Sequence, residues 1–241
     1  MRMCVDRVAI VTGAAGAGVG RSTALTLARE EAKVVVNYRS SKKSAEAIVQ
    51  AIDSRGGDAV AVQADVFTAE GCKALVDAAV KLFGQVDICV INPGAGWHTE
   101  SPDKLDATAA LEDAQAELAP IYHLLPLVLP GMCQRQWGRI IGVSLAGHDS
   151  PSYAYNVAKA ARSQALLQLR KATRKHGVRV NVVAPSEIEA IPSLQKAIEQ
   201  CDHGQAWQRR KRLSPQDIAE GIAFLCSDAG RFVSSCELPY W

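Results

Sequence analysis

No charge of either sign dominates this sequence. Its 27 Lys and Arg against 25 Asp and Glu leave a formal +2, too little to recruit nucleic acid electrostatically. The densest basic run, Arg209-Arg210-Lys211-Arg212, is short and reads as a solvated loop or helix end. Cysteine occurs seven times, an odd number, and never as Cys-x-x-Cys. Cys4, Cys72, Cys89, Cys133, Cys201, Cys226 and Cys236 are scattered through apolar stretches, so buried thiols in a reducing compartment are expected rather than a disulfide framework or a zinc site. His98, His123, His148, His176 and His203 lack ligand spacing, and no metal is expected. The longest uncharged stretch, Leu118 to Gln134, falls short of the roughly 20 residues of a membrane span and holds Pro120, Pro126 and Pro130. Met1 to Arg7 runs straight into an apolar strand pattern and reads as no signal peptide. The expected location is cytoplasmic, and without repeats or linkers the expectation is one domain over 1–241.

What is present is an alternation. Arg7 to Thr12 is a β-branched run suited to a buried parallel strand. It passes through the glycine-rich turn Gly13 to Gly20 into a helix, Arg21 to Glu31. Strand, glycine turn and helix in that order let backbone N–H groups and a helix N-terminus approach a pyrophosphate. The second strand, Lys33 to Tyr38, ends not on Asp or Glu but on Arg39, whose guanidinium suits a 2′-phosphate and favours NADPH over NADH. A helix from about Ser44 to Arg55 and a strand Ala59 to Gln63 follow, then Asp65, placed to accept from an adenine amino group. Cys72, Leu75, Val76, Ala79, Val80 and Phe83 recur at helical spacing.

Asp87 to Asn92 is a fourth strand, followed by Trp97 and His98, which either reach a cleft or belong to an ordinary loop. Leu105 to Cys133 reads as a helix kinked at Pro120. Gly138 to Ser144 and Arg179 to Ala184 are further strands, and the last helix spans Pro215 to Cys226. The fold class is therefore α/β, a single doubly wound Rossmann-type parallel sheet with helices on both faces and ligands at the carboxyl ends of the strands.

In the expected helix running from Tyr155 to about His176, Tyr155 and Lys159 share a face. An ammonium beside a phenol favours the phenolate, so the tyrosine pKa is expected to fall from about 10 toward neutrality, fit for proton exchange with a carbonyl or alcohol oxygen.

Together Thr12-Gly13…Gly18-Val19-Gly20, Asp65-Val66, Asn92-Pro93-Gly94, Gly138-Arg139-Ile140-Ile141…Ser144, Tyr155…Lys159 and Val180-Asn181-Val182-Val183-Ala184-Pro185 resemble the short-chain dehydrogenase/reductase family over nearly the whole chain. The look is that of 3-oxoacyl-carrier-protein reductases and glucose-dehydrogenase-like members. The resemblance implies that Gly13, Gly18, Val19 and Gly20 cradle the pyrophosphate. It places Asp65 and Val66 at adenine, Asn92 and Gly94 on the adenosine side, and Pro185 and Ile188 by the nicotinamide. Ser144 would bond the substrate oxygen, Tyr155 would move the proton and Lys159 would hold the nicotinamide ribose. A small-molecule carbonyl or alcohol substrate and a homotetramer or homodimer are implied, with residues 186–213 over the substrate.

Departures from the family pattern bear on function. Glu117 stands where the family has a catalytic Asn at a helix kink that Pro120 would preserve: either the relay survives through this different, catalytic side chain, or the carboxylate pairs with Lys159 and partly cancels its effect on Tyr155. Gapless alignment puts Leu145 at the oxygen-binding position, while Ser144 serves only after a loop adjustment. Pro93 stiffens its turn, and Ser186 and Ala190 replace a usual Gly and Thr. Two functions remain in view: an NADP(H)-dependent carbonyl reductase, or a dinucleotide-binding sensor or scaffold whose catalytic set has drifted.

Overall fold

A computed structural model describes residues 2–146, 151–202 and 211–241. Arg209 and Arg210 of the basic run, His148, His203 and part of the 186–213 segment lie outside the described residues.

The strands are β1 (Val8–Val11), β2 (Lys33–Tyr38), β3 (Asp58–Gln63), β4 (Ile88–Ile91), β5 (Gly138–Val143), β6 (Val178–Pro185) and β7 (Glu237–Tyr240). They form one seven-stranded sheet in the order β3-β2-β1-β4-β5-β6-β7. All pairs are parallel, with Val11 opposite Val36 on one side and Val90 on the other. The order reverses between β1 and β4, which opens a crevice at their carboxyl ends.

The helices are α1 (Val19–Arg29), α2 (Lys42–Asp53), α3 (Ala69–Phe83), α4 (Ala107–Gln134), α5 (Tyr153–Leu167), α6 (Arg170–Thr173), α7 (Leu194–Cys201) and α8 (Pro215–Cys226). The apolar faces of α1, α2, α7 and α8 close one core, which includes Leu27, Ile48 and Ile222. Those of α3, α4 and α5 close the other, which includes Leu75, Ile121 and Leu166. Both sheet faces are thus withdrawn from water, which is why β1, β4 and β5 are buried at every position.

Local chemistry sets several boundaries. Thr68 accepts from Gly71 N at the start of α3, and Gly84 ends that helix at φ +85°. Asp106 caps α4 through Thr108 N and Ala109 N. Ser214 and Asp217 form a reciprocal capping box on α8, with Pro215 in its first turn.

The structure differs from the expectations in two elements, the end of α5 and the last strand, while α4 agrees with the helix expected from Leu105 to Cys133. The helix expected to run to His176 stops at Leu167, because Leu169 N turns back to Leu166 O and Ala172 N to Leu169 O. These i to i+3 bonds tighten the chain into the short α6. Helix α4 continues through Pro120, Pro126 and Pro130. It is long and apolar enough to cross a membrane by length and composition, yet its buried side chains pack in the core with α3 and α5. Finally, β7 extends the sheet beyond six strands even though it contains Pro239, as an edge strand allows.

Candidate active site

The glycine turn is tied on both sides. Gly13, at φ +60°, donates its N–H to Asn37 Oδ1 at 3.0 Å. Gly20 lies beneath it: a Cβ there would come within 2.7 Å of Gly13 O and 2.9 Å of Asn92 Nδ2. Glycine is required at both places, at one for its conformation and at the other for closeness. Gly16 and Gly18 have open space before them, and Val19 is buried at the first turn of α1. Asn92 donates to Thr12 O at 3.2 Å while its own N–H reaches Thr12 Oγ1 at 2.9 Å. The ends of β1 and β4 are thereby held in register.

In front of this turn is a cavity of about 270 Å³ lined by Gly13, Gly16, Arg39, Asp65, Val66 and Gly94, among others. Arg39 is exposed at its rim, its guanidinium carbon 5.7 Å from the Phe67 ring centroid. Asp65 accepts from Phe67 N at 3.1 Å through Oδ1. The structure therefore brings together the residues expected to meet the adenosine half. Pro185 closes β6, and its carbonyl accepts from Ala146 N. Ile188 packs onto the core nearby. Arg21 donates to Ile191 O, binding the chain after β6 to α1 above the crevice.

On the other side, Tyr155 and Lys159 lie one turn apart near the start of α5. Lys159 Nζ sits 5.3 Å from the Tyr155 ring centroid. The ammonium also meets Glu117 Oε1 at 2.9 Å, and Arg162 Nη1 meets Glu117 Oε2 at 2.7 Å. Glu117 and Arg162 are wholly buried. Burial alone would raise the Glu117 pKa, but Arg162 and then Lys159 hold it below the ordinary carboxylate value. Burial, assisted by Arg162 and opposed by Glu117, lowers the Lys159 pKa.

One expectation is corrected here. The Tyr155 phenol is not pulled toward neutrality: its pKa is pushed up to about 12, first by burial and then by the Glu117 and Asp113 carboxylates, against Arg162. The carboxylate beside the lysine turns the local field against the phenolate. The Ser144 hydroxyl, buried, donates to Lys159 O at 3.0 Å and lies 2.9 Å from Ser163 Oγ, so its one proton is engaged by the α5 backbone. Leu145, the alternative position, lines a cavity together with Ala146, Asn156, Lys159 and Glu237.

Gly94 has a second role beyond lining the cavity. A Cβ there would overlap the Glu117 carboxyl group, so the missing side chain is what admits Glu117.

Sequence reasoning missed Arg162, Asp113, Asn37 and Thr12. Arg162 had a signal: with Tyr155 and Lys159 it completes an i, i+4, i+7 face. Asp113 had none, being joined to the site only in space, where it pairs with His98 at 2.6 Å.

Comparisons agree with this geometry. A short chain dehydrogenase family model matches residues 7–201. An uncharacterised oxidoreductase of Methylorubrum extorquens is 35% identical over 95% of this chain and 93% of its own length. A 3-oxoacyl-[acyl-carrier-protein] reductase of Synechocystis is 35% identical over 95% and 92%. Among solved structures, a 7α-hydroxysteroid dehydrogenase complexed with NADH and 7-oxo glycochenodeoxycholic acid superposes with a TM-score of 0.84 at 28% identity, covering 98% of this chain and 93% of that one. By these matches over nearly its whole length, this chain is a member of a family of oxidoreductases, the short-chain dehydrogenases/reductases.

Proposed function

We propose that the chain interconverts a carbonyl and a secondary alcohol, with NADP(H) as the hydride carrier and Tyr155 as the proton-transferring group. The observation that carries this reading is the Tyr155–Lys159 pair, 5.3 Å from ring centroid to ammonium, on the first turns of α5. Relatives support the dinucleotide, although the named neighbour holds NADH. The preference for NADP(H) rests on Arg39, exposed at the rim of the cavity where β2 ends, with no acidic residue there.

The residues fit such a group. The open space before Gly16 and Gly18, the positive φ of Gly13 and the cavity up to Gly94 form a cradle that side chains at the glycines would fill or strain. In this reading Gly13, Gly18, Val19 and Gly20 hold the pyrophosphate, Asp65 and Val66 the adenine, and Asn92 and Gly94 the adenosine side. Pro185 and Ile188 lie by the nicotinamide. When bound, the nicotinamide supplies or takes up the hydride.

The protein handles the proton and the orientation. With its pKa pushed up to about 12, Tyr155 carries its proton at neutral pH, which suits donation to a carbonyl oxygen and hence reduction. Lys159 has three ammonium protons; Glu117 takes one, and the others would remain to hold a ribose hydroxyl of the bound dinucleotide. Glu117 acts by holding Lys159, and Ser144 acts only by holding the backbone beneath it. The substrate in this reading is a small or acyl-type ketone. Exposed Leu111 and Tyr122 on α4, with Tyr153 and Val157 on α5, support assembly as a homodimer or homotetramer. A cytoplasmic location belongs to the same reading.

The test is turnover of a ketone panel with NADPH and with NADH, repeated for Tyr155→Phe. Loss of a proton donor should reduce kcat by roughly 10²–10⁴-fold with dinucleotide binding kept. Binding without turnover on any ketone, with Tyr155→Phe indistinguishable from the parent, would instead favour the sensor or scaffold.

A further inference from the structure

Helix α5 carries a third charged residue on the face of Tyr155 and Lys159, and it is the most enclosed of the three. Arg162 is wholly buried, where an unpaired guanidinium would be prohibitively costly. Its two terminal nitrogens are spent on defined acceptors, while its Nε has none. Nη1 donates to Glu117 Oε2 at 2.7 Å and to Pro93 O at 2.9 Å, and Nη2 donates to Ile91 O at 2.6 Å. Ile91 ends β4, and Pro93 opens the turn that lines the dinucleotide cavity. Glu117 in turn accepts from Ala95 N at 2.8 Å and holds Lys159 at 2.9 Å. One guanidinium therefore touches the β4 turn and the carboxylate that grips the lysine.

Charge counting gives this arrangement a purpose. Glu117 and Lys159 alone would be a neutral pair beside Tyr155, and the amine's charge would be cancelled. With Arg162, two cations share one carboxylate and one net positive charge remains. We propose that Arg162 is a positioning residue for the proton transfer: it neutralises Glu117, so that the carboxylate fixes Lys159 without removing its charge from Tyr155, and it anchors the β4 turn to α5. This rests on the Tyr155–Lys159 reading above.

The charged groups facing Tyr155 are Glu117 and Asp113 from α4 and Lys159 and Arg162 from α5, with His98 paired to Asp113 from the loop after β4. Of these, Arg162→Met and Glu117→Gln alter the count in opposite senses: relative to the parent, the first removes one positive charge, the second removes one negative charge, and the double variant restores the parental total. In ketone reduction, rate falls at high pH as Tyr155 loses its proton. That alkaline limb should shift up by roughly one pH unit in Arg162→Met and down by a similar amount in Glu117→Gln, a typical effect of one nearby charge. In Glu117→Gln/Arg162→Met it should return to the parental position. Loss of the anchor between α5 and the β4 turn should also cost Arg162→Met roughly 10²-fold in kcat, a loss the double variant, which lacks the same anchor, should share. Arg162→Lys keeps the charge but not the fork, so it should hold the parental limb while weakening dinucleotide binding.

Where Arg162→Met fails to fold, the double variant must still fold and carry the parental limb; a double variant with the limb of Glu117→Gln overturns the assignment. So does a single variant whose pH profile and kcat match the parent. Tyr155→Phe is the control on the underlying reading. If it turns over like the parent, the tyrosine chemistry itself fails; if it is inactive while Arg162→Met behaves as the parent does, only the role of Arg162 falls.

Discussion

Gly94 offers the sharpest test of how the site is built. Its φ is not positive, so alanine is conformationally acceptable, and at an open position the change would stabilise the fold by about 0.4–1 kcal/mol through the unfolded chain. The neighbour makes it unacceptable. The new methyl would overlap the carboxyl of Glu117, and that carboxyl cannot yield. One oxygen is held by Lys159 at 2.9 Å and Ala95 N at 2.8 Å, the other by Arg162 at 2.7 Å. Overpacking a rigid site costs about 1–3 kcal/mol, rising to about 3–5 kcal/mol if the methyl breaks the ion contacts. Gly94→Ala should therefore destabilise the protein by roughly 2–4 kcal/mol, and at about 2–4 °C per kcal/mol for a chain of this size Tm should drop by at least several degrees. The control is the same change in a Glu117→Ala/Arg162→Met background, where carboxylate and guanidinium are gone together and the methyl has room. There the cost should vanish or turn to slight stabilisation. Urea unfolding of the four proteins gives the coupling directly. Equal costs in both backgrounds, within about 0.5 kcal/mol, would mean that the carboxylate is not what makes this position glycine.

Three further outcomes follow from individual contacts. Because Glu117 titrates below the ordinary carboxylate value in the folded protein, its stabilisation is complete above its unfolded pKa of about 4.3 and is lost as pH falls through the folded value. The urea midpoint of the parent should thus decline more steeply on acidification below about pH 4 than that of Glu117→Gln, and parallel declines would contradict the linkage. Ser144→Ala should cost about 1 kcal/mol of stability for the lost bond to Lys159 O and leave kcat within about threefold, whereas a loss of 10² or more would put the hydroxyl on the substrate oxygen after all. Arg39→Ala should weaken NADPH by roughly 10–100-fold, the worth of charge-assisted bonds, and spare NADH; equal losses for both, by fluorescence titration, would remove Arg39 from cofactor choice.

The alternation of β-branched runs with helical faces was legible because each signal is local. Lys33–Tyr38 and Pro215–Cys226 have the bounds their residues imply, one from a valine run ending at Arg39, the other from a serine cap with proline next to it. The glycine turn and the Tyr155–Lys159 spacing were legible for the same reason. The helix through Leu169 was misread because a tightening turn leaves no mark in the apolar period. Arg162 was on the page as part of a helical face, but its partner Glu117 lies 45 positions away, and no spacing rule joins them.

The sequence by itself determined a doubly wound sheet, a glycine-rich turn between strand and helix and a phenol–ammonium couple, since these follow from backbone conformation and from side chains a turn apart. Only the tertiary structure decided what those groups feel. It engaged the Ser144 hydroxyl with the α5 backbone, seated Glu117 against Gly94 between two cations, and reversed the expected direction of the Tyr155 pKa. Desolvation and Coulomb energy depend on distances through space and on what excludes water, and neither is set until the chain has folded.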